Sequence, residues 1–385
     1  MSTLTDTTAS GDLYQFVPWA AELGSQFTQH RARHDRDGTF VDEAFAILRE
    51  SGYLALAVPT ELGGRGATIG QVAMAQAEMA RHDASAALAV AMHLHITLFA
   101  AWRFRRAMPG AEGLLRRVVN ERIVLVSTGG ADFTRPNGVA KKVDGGFRVT
   151  GRKIFASQCP AGDVMSTMFT YEDPEVGRQV LAMGIPFGGE GVSIIETWDT
   201  LGMRGTGSHD VELADVFVSD AQVMSRRPWG VIDPPLTIII SCAMPVIAAV
   251  YLGVAEGVRD RVIARAAGTD KALDPTTQRL VGLLDYKLRV ARWSLLGAIA
   301  EIGDNPEPSM NNVVVAMQAK RAVAEEAITA CDTALQIAGG SSYFRKADIE
   351  HAVRDVRGIL FHPLTPELTL VHAGKVALGV PADEM

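Results

Sequence analysis

The stretch that decides the fold runs from Ala319 to Gly379, and within it Arg354-Asp355-Val356-Arg357-Gly358-Ile359-Leu360-Phe361-His362-Pro363-Leu364-Thr365-Pro366-Glu367. Ala319 to Ile337 is a run of good helix formers almost free of breakers, and Gly339-Gly340 stops it with residues that accept a left-handed cap. Ile349, Val353, Val356 and Leu360 recur at spacings of four, three and four, which predicts a helix from Ile349 to Phe361 that Pro363 forbids to continue. Thr365-Pro366-Glu367 starts another, with an N-cap hydroxyl, a proline at the first helical position and an acid in the positive first turn. Phe361 to Leu364 is then a short kinked connection between two helix ends. Such a connection presents free backbone N–H groups to an anionic cofactor group and can aim one side chain into a cleft.

The chain of 385 residues can bury a large core divided among two or three domains. Its 48% hydrophobic and 21% charged residues describe an ordinary globular enzyme and exclude a mainly solvating one. The net charge of −7 argues against nucleic acid as a partner. Cys159, Cys242 and Cys331 are widely separated and lack metal spacing, so they read as buried thiols in a reducing compartment, the cytoplasm. Met1 to Asp12 has neither a basic start nor an apolar run and reads as a disordered tail. The apolar run Leu236 to Val254 contains Ser241, Pro245 and Gly253 and leads into Glu256, Arg259 and Asp260, which fits a buried central helix better than a membrane span.

Outward from these landmarks, three domains are expected: helical over 1–122, β over 123–226 and a helical bundle over 227–385. In the first, Phe40 to Leu48 is a helix, Tyr53 to Pro59 a short extended segment and Glu61-Leu62-Gly63-Gly64 a tight turn. Thr68 to Arg81 is an amphipathic helix, and Ala84 to Ala101 an almost wholly apolar one carrying His93 and His95. Two residues apart on a helix, these histidines face different ways, so one belongs to the core and the other to a pocket edge, and they do not form a metal pair. From Ile123 the pattern changes to short alternating runs punctuated by glycine: Val124 to Ser127, Gly138 to Val143, Gly146 to Thr150, Val164 to Thr170, Val180 to Ile185 and Asp210 to Val218. Asp144-Gly145-Gly146 is a hairpin signal, and the whole reads as an antiparallel β-domain. Leu236 to Ala267, Thr276 to Ile302, Ser309 to Ile337 and the closing segments make a four-helix bundle.

Ala319-Lys320, Glu325, Ala327, Ala334-Leu335-Gln336-Ile337-Ala338-Gly339-Gly340, Arg354-Asp355 and the closing helix to Leu378-Gly379 resemble the C-terminal domain of the acyl-CoA dehydrogenase superfamily. Its N-terminal domain has a turn similar to Val58-Pro59 through Gly63-Gly64. Gly151-Arg152-Lys153-Ile154-Phe155-Ala156-Ser157 resembles the strand beside the flavin ring, with Phe155 and Ser157 at the ring-covering and edge-bonding positions. Leu201-Gly202-Met203-Arg204-Gly205-Thr206-Gly207-Ser208 resembles a second flavin-side segment. The resemblance covers Tyr53 to Gly379 and implies an acyl-CoA dehydrogenase-like α+β fold. It also implies bound FAD, with FMN as fallback because the usual Arg-x-x-Phe contact is missing near Ala266 to Lys271. The residues it nominates for the cofactor are Ser127, Thr128, Phe155, Ser157, Arg204, Thr206, Gln336, Gly339, Gly340 and Thr365. Ser127 and Thr128 begin a loop that otherwise departs from the family pattern. A homodimer or homotetramer is expected from the family and from the apolar circumference of Leu236 to Val254.

One departure governs the chemistry. The family's catalytic Glu falls at Pro363, and the alternative position on the first bundle helix, about Ala243-Met244-Pro245, holds no acid either. Dehydrogenation of an acyl thioester, with an electron-transfer partner, is the reading the family favours; His362 then becomes the nearest proton acceptor, with Glu367 as the other candidate. The alternative is oxygenation by reduced flavin and O2, with a flavin reductase as partner. A monooxygenase branch of the superfamily resembles this chain in Arg204 to Ser208 and in Arg354-Asp355 followed seven residues later by His362. There the His donates a hydrogen bond to flavin-bound oxygen and no base is needed. A non-catalytic flavin-binding subunit is the third reading, and for His362 simple helix-end packing is the plain alternative.

Overall fold

A computed structural model describes residues 12–382. The expectation of a disordered tail falls, for residues 1–11, outside the described residues; Asp12 itself accepts hydrogen bonds from the Tyr14 N–H at 3.0 Å and from Gln71 Nε2 at 3.1 Å. Five helices come first: α1 (Val17–Asp37), α2 (Asp42–Ser51), α3 (Ile69–His82), α4 (Ala84–Arg105) and α5 (Ala111–Asn120). Thr68 caps α3 through a reciprocal pair with Gln71, and Asp83 caps α4 by accepting from the Ala86 N–H. Tyr53–Ala55 is a single 3-10 turn and not the extended segment expected; its side chains reach the core by turning under α4, where His93 Nε2 meets the Leu54 carbonyl at 2.8 Å.

The strands are β1 (Leu125–Ser127), β2 (Val139–Val143), β3 (Gly146–Lys153), β4 (Val164–Asp173), β5 (Gly177–Pro186), β6 (Val192–Ile195), β7 (Asp210–Ser219) and β8 (Val223–Pro228). They form one sheet in the order β6-β7-β3-β2-β4-β5-β8, with β1 beside β4. Asp144-Gly145 makes the β2–β3 turn, pairing Val143 with Gly146. The sheet is mainly antiparallel, but β1 and β2 both run parallel to β4. β6 and β8 are too short or too charged to show the alternation by which the other six were recognised.

Helices resume with α6 (Pro234–Ala266), α7 (Pro275–Ile302), α8 (Met310–Ala338), α9 (Ile349–Asp355) and α10 (Pro366–Ala377). By length and composition α4 and α6 could each cross a membrane, yet 89% and 94% of their most apolar windows are buried inside this chain. α6 packs against α3, α4 and α8. The apolar circumference of Leu236 to Val254 is therefore covered within one chain, and it does not supply the reason for oligomerisation expected from the sequence. Its close packing on α3 depends on Gly253, where a Cβ would fall 1.9 Å from the Ala77 carbonyl oxygen. The helix expected over Ile349 to Phe361 is α only to Asp355 and continues as a tighter 3-10 segment, Val356–Phe361, which brings Gly358 against the Tyr251 hydroxyl. Thr365 is the N-cap of α10, but its hydroxyl makes no capping hydrogen bond.

Candidate active site

A cavity of about 410 Å³ opens where α4, the sheet loops, α6 and the 356–363 segment meet, a size within the range of small-molecule and cofactor sites. Its walls are mostly apolar, with Leu88 and Met92 from α4, Ala243, Met244 and Ile247 from α6, and Phe133, Phe155, Trp198 and Phe361 around the sheet side and the mouth. No aspartate or glutamate lines it among the described residues.

His362 lies in this wall, its Nε2 2.8 Å from the Tyr251 hydroxyl. Tyr251 is fully buried, and burial raises its ionisation well above the ordinary phenol range, so its hydroxyl is a proton donor in need of an acceptor. Paired this way, His362 Nε2 accepts and Nδ1 carries the imidazole proton. Burial first, then the positive charge of Lys320 and the neighbouring His95, push the His362 pKa down to about 3. Lys320, on α8, donates to the His362 carbonyl at 2.6 Å and the Leu364 carbonyl at 2.5 Å, and burial brings its own pKa down to about 8. The connection carrying His362 is thus tied from beneath by a buried ammonium that has no carboxylate partner among the described residues.

Eight and seven residues before His362 in the same segment stand Arg354, which lines the cavity, and Asp355, which lies behind it. Asp355 accepts the Met203 N–H at 2.6 Å and pairs with His351 at 3.0 Å. Arg354 forks onto Asp35 at 2.7 and 2.6 Å and donates to the Leu201 carbonyl. Gly202 permits this approach, because a Cβ there would fall 2.4 Å from the Arg354 carbonyl. Phe155 and Met203 hold φ of 54° and 53° in this region, a left-handed conformation that costs a non-glycine residue on the order of 1 kcal/mol or more and clusters at functional sites.

Of the residues nominated from the sequence, Ser127, Thr128, Phe155, Ser157 and His362 meet in the cavity wall. Arg204 and Thr206 do not. Arg204 turns away, donating to the Asp35 carbonyl, the Asp199 carboxylate and the Thr200 carbonyl, each at 2.7 Å. Thr206 is buried behind the wall, donating to the Met203 carbonyl at 3.0 Å and touching Ser208 Oγ at 2.7 Å. Gln336, Gly339, Gly340 and Thr365 lie outside the cavity; Lys271 instead donates to the Ile337 and Ala338 carbonyls just before the two glycines. Tyr251, Lys320, Trp198 and Ser208 were not nominated. A phenol within an apolar helix and a lysine on a small-residue face were the available signals for the first two.

The two histidines of α4 divide as their spacing implied. His93 is in the core, with Nε2 donating to the Leu54 carbonyl and Nδ1 accepting the Leu125 N–H at 3.0 Å, while His95 lines the cavity. Burial pushes the pKa of each down to about 4 from an ordinary 6.5. Their contribution to stability is therefore complete above pH 6.5 and is lost as the pH falls from there toward 4, because only the unfolded chain takes up the protons. Each is expected to cost about 2 kcal/mol at pH 5 relative to pH 7. His351 acts in the opposite sense: burial disfavours its charge, but Asp355 and Asp35 outweigh it and raise the pKa, so its contribution is present below 6.5 and fades above the folded value. Urea unfolding should give a clearly lower midpoint at pH 5 than at pH 7; equal midpoints would contradict the buried neutral pair.

The profile of the acyl-CoA dehydrogenase N-terminal domain matches residues 20–104 and that of the C-terminal domain residues 245–366. The acyl-CoA dehydrogenase-like protein YdbM of Bacillus subtilis (strain 168) is 30% identical over 373 residues, covering 91% of this chain and 93% of its own length. The chain belongs to the acyl-CoA dehydrogenase family. Within that family it is also similar to L-evernosamine nitrososynthase of Micromonospora sp. (strain ATCC 39149 / NRRL 15099 / SCC 1413), 28% identical over 372 residues, covering 91% of this chain and 87% of that one. Among solved structures, KijD3 in complex with FMN and dTDP-3-amino-2,3,6-trideoxy-4-keto-3-methyl-D-glucose superposes with a TM-score of 0.88 at 26% identity, covering 98% of this chain and 96% of that one. Acyl-CoA dehydrogenase family members with different chemistries thus share this architecture.

Proposed function

We propose that the protein is a flavin-dependent monooxygenase that takes reduced FMN and O2, and is not an acyl thioester dehydrogenase. The observation that carries this reading is the cavity without a carboxylate among the described residues. Dehydrogenation needs a base near the working pH. His362, with its pKa near 3, is a poor proton acceptor but a good neutral donor. Glu367, the other candidate, is 86% exposed at its side chain and pairs with Arg321 outside the cavity. The nitrososynthase and the FMN complex among the relatives support the same direction.

A flavin ring suits the wall residues. Phe155 and Trp198 meet edge to face at 5.9 Å beside the cavity and offer aromatic cover. Thr206 gives its proton to the Met203 carbonyl, so Ser208 donates to Thr206 and Ser157 to Ser208 at 2.8 Å. That order leaves the Ser157 oxygen free to accept from an N–H at the ring edge. FMN is preferred to FAD because the family's Arg-x-x-Phe contact is missing near Ala266 to Lys271 and the similar KijD3 structure holds FMN.

Bound reduced flavin supplies two electrons, so that O2 gives one oxygen atom to the substrate and the other to water. His362 would donate an Nδ1–H hydrogen bond to oxygen held in the cavity, with Lys320 fixing the loop that carries it and the apolar walls of α4 and α6 keeping water out. Anaerobic mixing of the flavin-loaded protein with a panel of acyl thioesters should leave the yellow colour unchanged. With photoreduced FMN and 18O2, label should enter a product. Rapid bleaching by any acyl thioester without added reductant would sink the oxygenase reading, and mass analysis of the released cofactor decides FMN against FAD.

A further inference from the structure

His95 is nearly wholly buried in α4, yet it lines the cavity. Its Nδ1 lies 3.2 Å from the Ala91 carbonyl, an oxygen that can only accept, so Nδ1 carries the proton. The lone pair of the neutral ring is then on Nε2. That atom has no protein partner among the described residues and opens onto the cavity. An acceptor directed into an apolar chamber is costly to leave unpaired and discriminates strongly for a guest that supplies a donor.

Apart from Ser127, Ser157 and His362, the other polar groups in the wall are committed. Thr128 donates to Asp132 at 3.1 Å, Thr200 to the Gly202 carbonyl at 2.9 Å, and Trp198 Nε1 to the Met203 carbonyl at 3.0 Å. The guanidinium groups are neutralised as well: Arg354 is held by Asp35 and Glu350, and Arg357 by Asp332 at 2.8 Å. Among the described residues the chamber thus has no spare cation for a carboxylate or phosphate, and no carboxylate for an ammonium. Ser127 has a hydroxyl free to rotate and can serve either role. Ser157 is left to the flavin edge, and the imidazole of His95, on α4, is the remaining group fixed as an acceptor.

We propose that His95 is the substrate-recognition residue of this site, its Nε2 accepting a hydrogen bond from an N–H or O–H group on an uncharged and otherwise apolar substrate. This rests on the monooxygenase reading for the identity of the guest as substrate, but the recognition can be measured without turnover.

Calorimetric titration of the protein loaded with oxidised flavin compares matched probes: phenol with anisole, aniline with N,N-dimethylaniline, and benzoate as the anion. The donor-bearing member of each pair should bind about tenfold more tightly than its methylated partner, and benzoate should bind most weakly. Tighter binding in the phenol pair alone would assign an O–H substrate, and in the aniline pair alone an N–H substrate. In His95→Phe the ratio should fall to about one, whereas His95→Gln, which keeps an acceptor oxygen, should retain most of it. If His95→Phe does not fold, His95→Ala is read in its place. A ratio near one in the unaltered protein, an unchanged ratio without the imidazole, or tightest binding of benzoate would overturn the proposal. No reduced flavin or oxygen is present, so failure of the oxygenation assay and failure of this one are separate results.

Discussion

Replacing His362 with alanine is expected to cut turnover by about a hundredfold or more, with the fold and flavin content largely kept. His362 contributes one hydrogen bond, to a tyrosine that is held independently in α6, and its loop remains tied to Lys320 through backbone carbonyls. A residue that serves only to pack two helix ends would give the reverse pattern, a destabilised protein whose folded fraction turns over normally. Pro363→Glu adds a second arm, since it restores an acid where the family's base falls. The monooxygenase reading expects no gain in acyl thioester oxidation from that variant once it is folded and loaded with flavin. Unchanged turnover in His362→Ala would remove this connection from the chemistry altogether.

The second large effect is on stability. Gly253→Ala should destabilise the protein by about 3 kcal/mol or more, because the new methyl would sit 1.9 Å from a backbone oxygen of α3. Backbone cannot rotate aside as a flexible side chain could, so α3 and α6 must separate along their contact. An alanine at Gly282, where nothing lies within 4 Å of the added Cβ, provides the control and should be neutral or slightly stabilising. Equal melting temperatures for the two variants would mean that α3 and α6 do not pack as closely as described.

What the sequence made legible was whatever is encoded locally. Glycine punctuation and alternation located six of the eight strands, and the periodic run through Val353 and Leu360 placed the segment that delivers His362. Phe155 and Ser157 were readable through the family resemblance of Gly151 to Ser157, although the pair lies just beyond the end of β3 at Lys153 and is not part of a strand. Arg204 was not, because its direction is set from far away: Arg354 and Asp355 pin the 201–203 loop across about 150 residues of sequence, and Asp35 captures the guanidinium on the far side. Which α4 histidine faced the cavity was equally non-local, being decided when β1 docks its Leu125 N–H onto His93. The tighter turn of Val356–Phe361 follows from the Tyr251 hydroxyl against Gly358, a contact between residues with no sequence signal linking them.

The walls of the cavity have a bearing on how such a chain can diverge. The proposed substrate acceptor stands on α4, the aromatic cover on sheet loops, the phenol on α6 and the proton donor on the last connection. No single segment therefore owns specificity, and grafting one segment from a relative would leave a mosaic chamber with mismatched halves. New substrate preference is more readily acquired by scattered point changes at Leu88, Met92, Met244 and Ile247, whose side chains line the chamber without bearing on the proton path. Lineages sharing this scaffold should accordingly differ more at these four positions than at Tyr251 or Lys320.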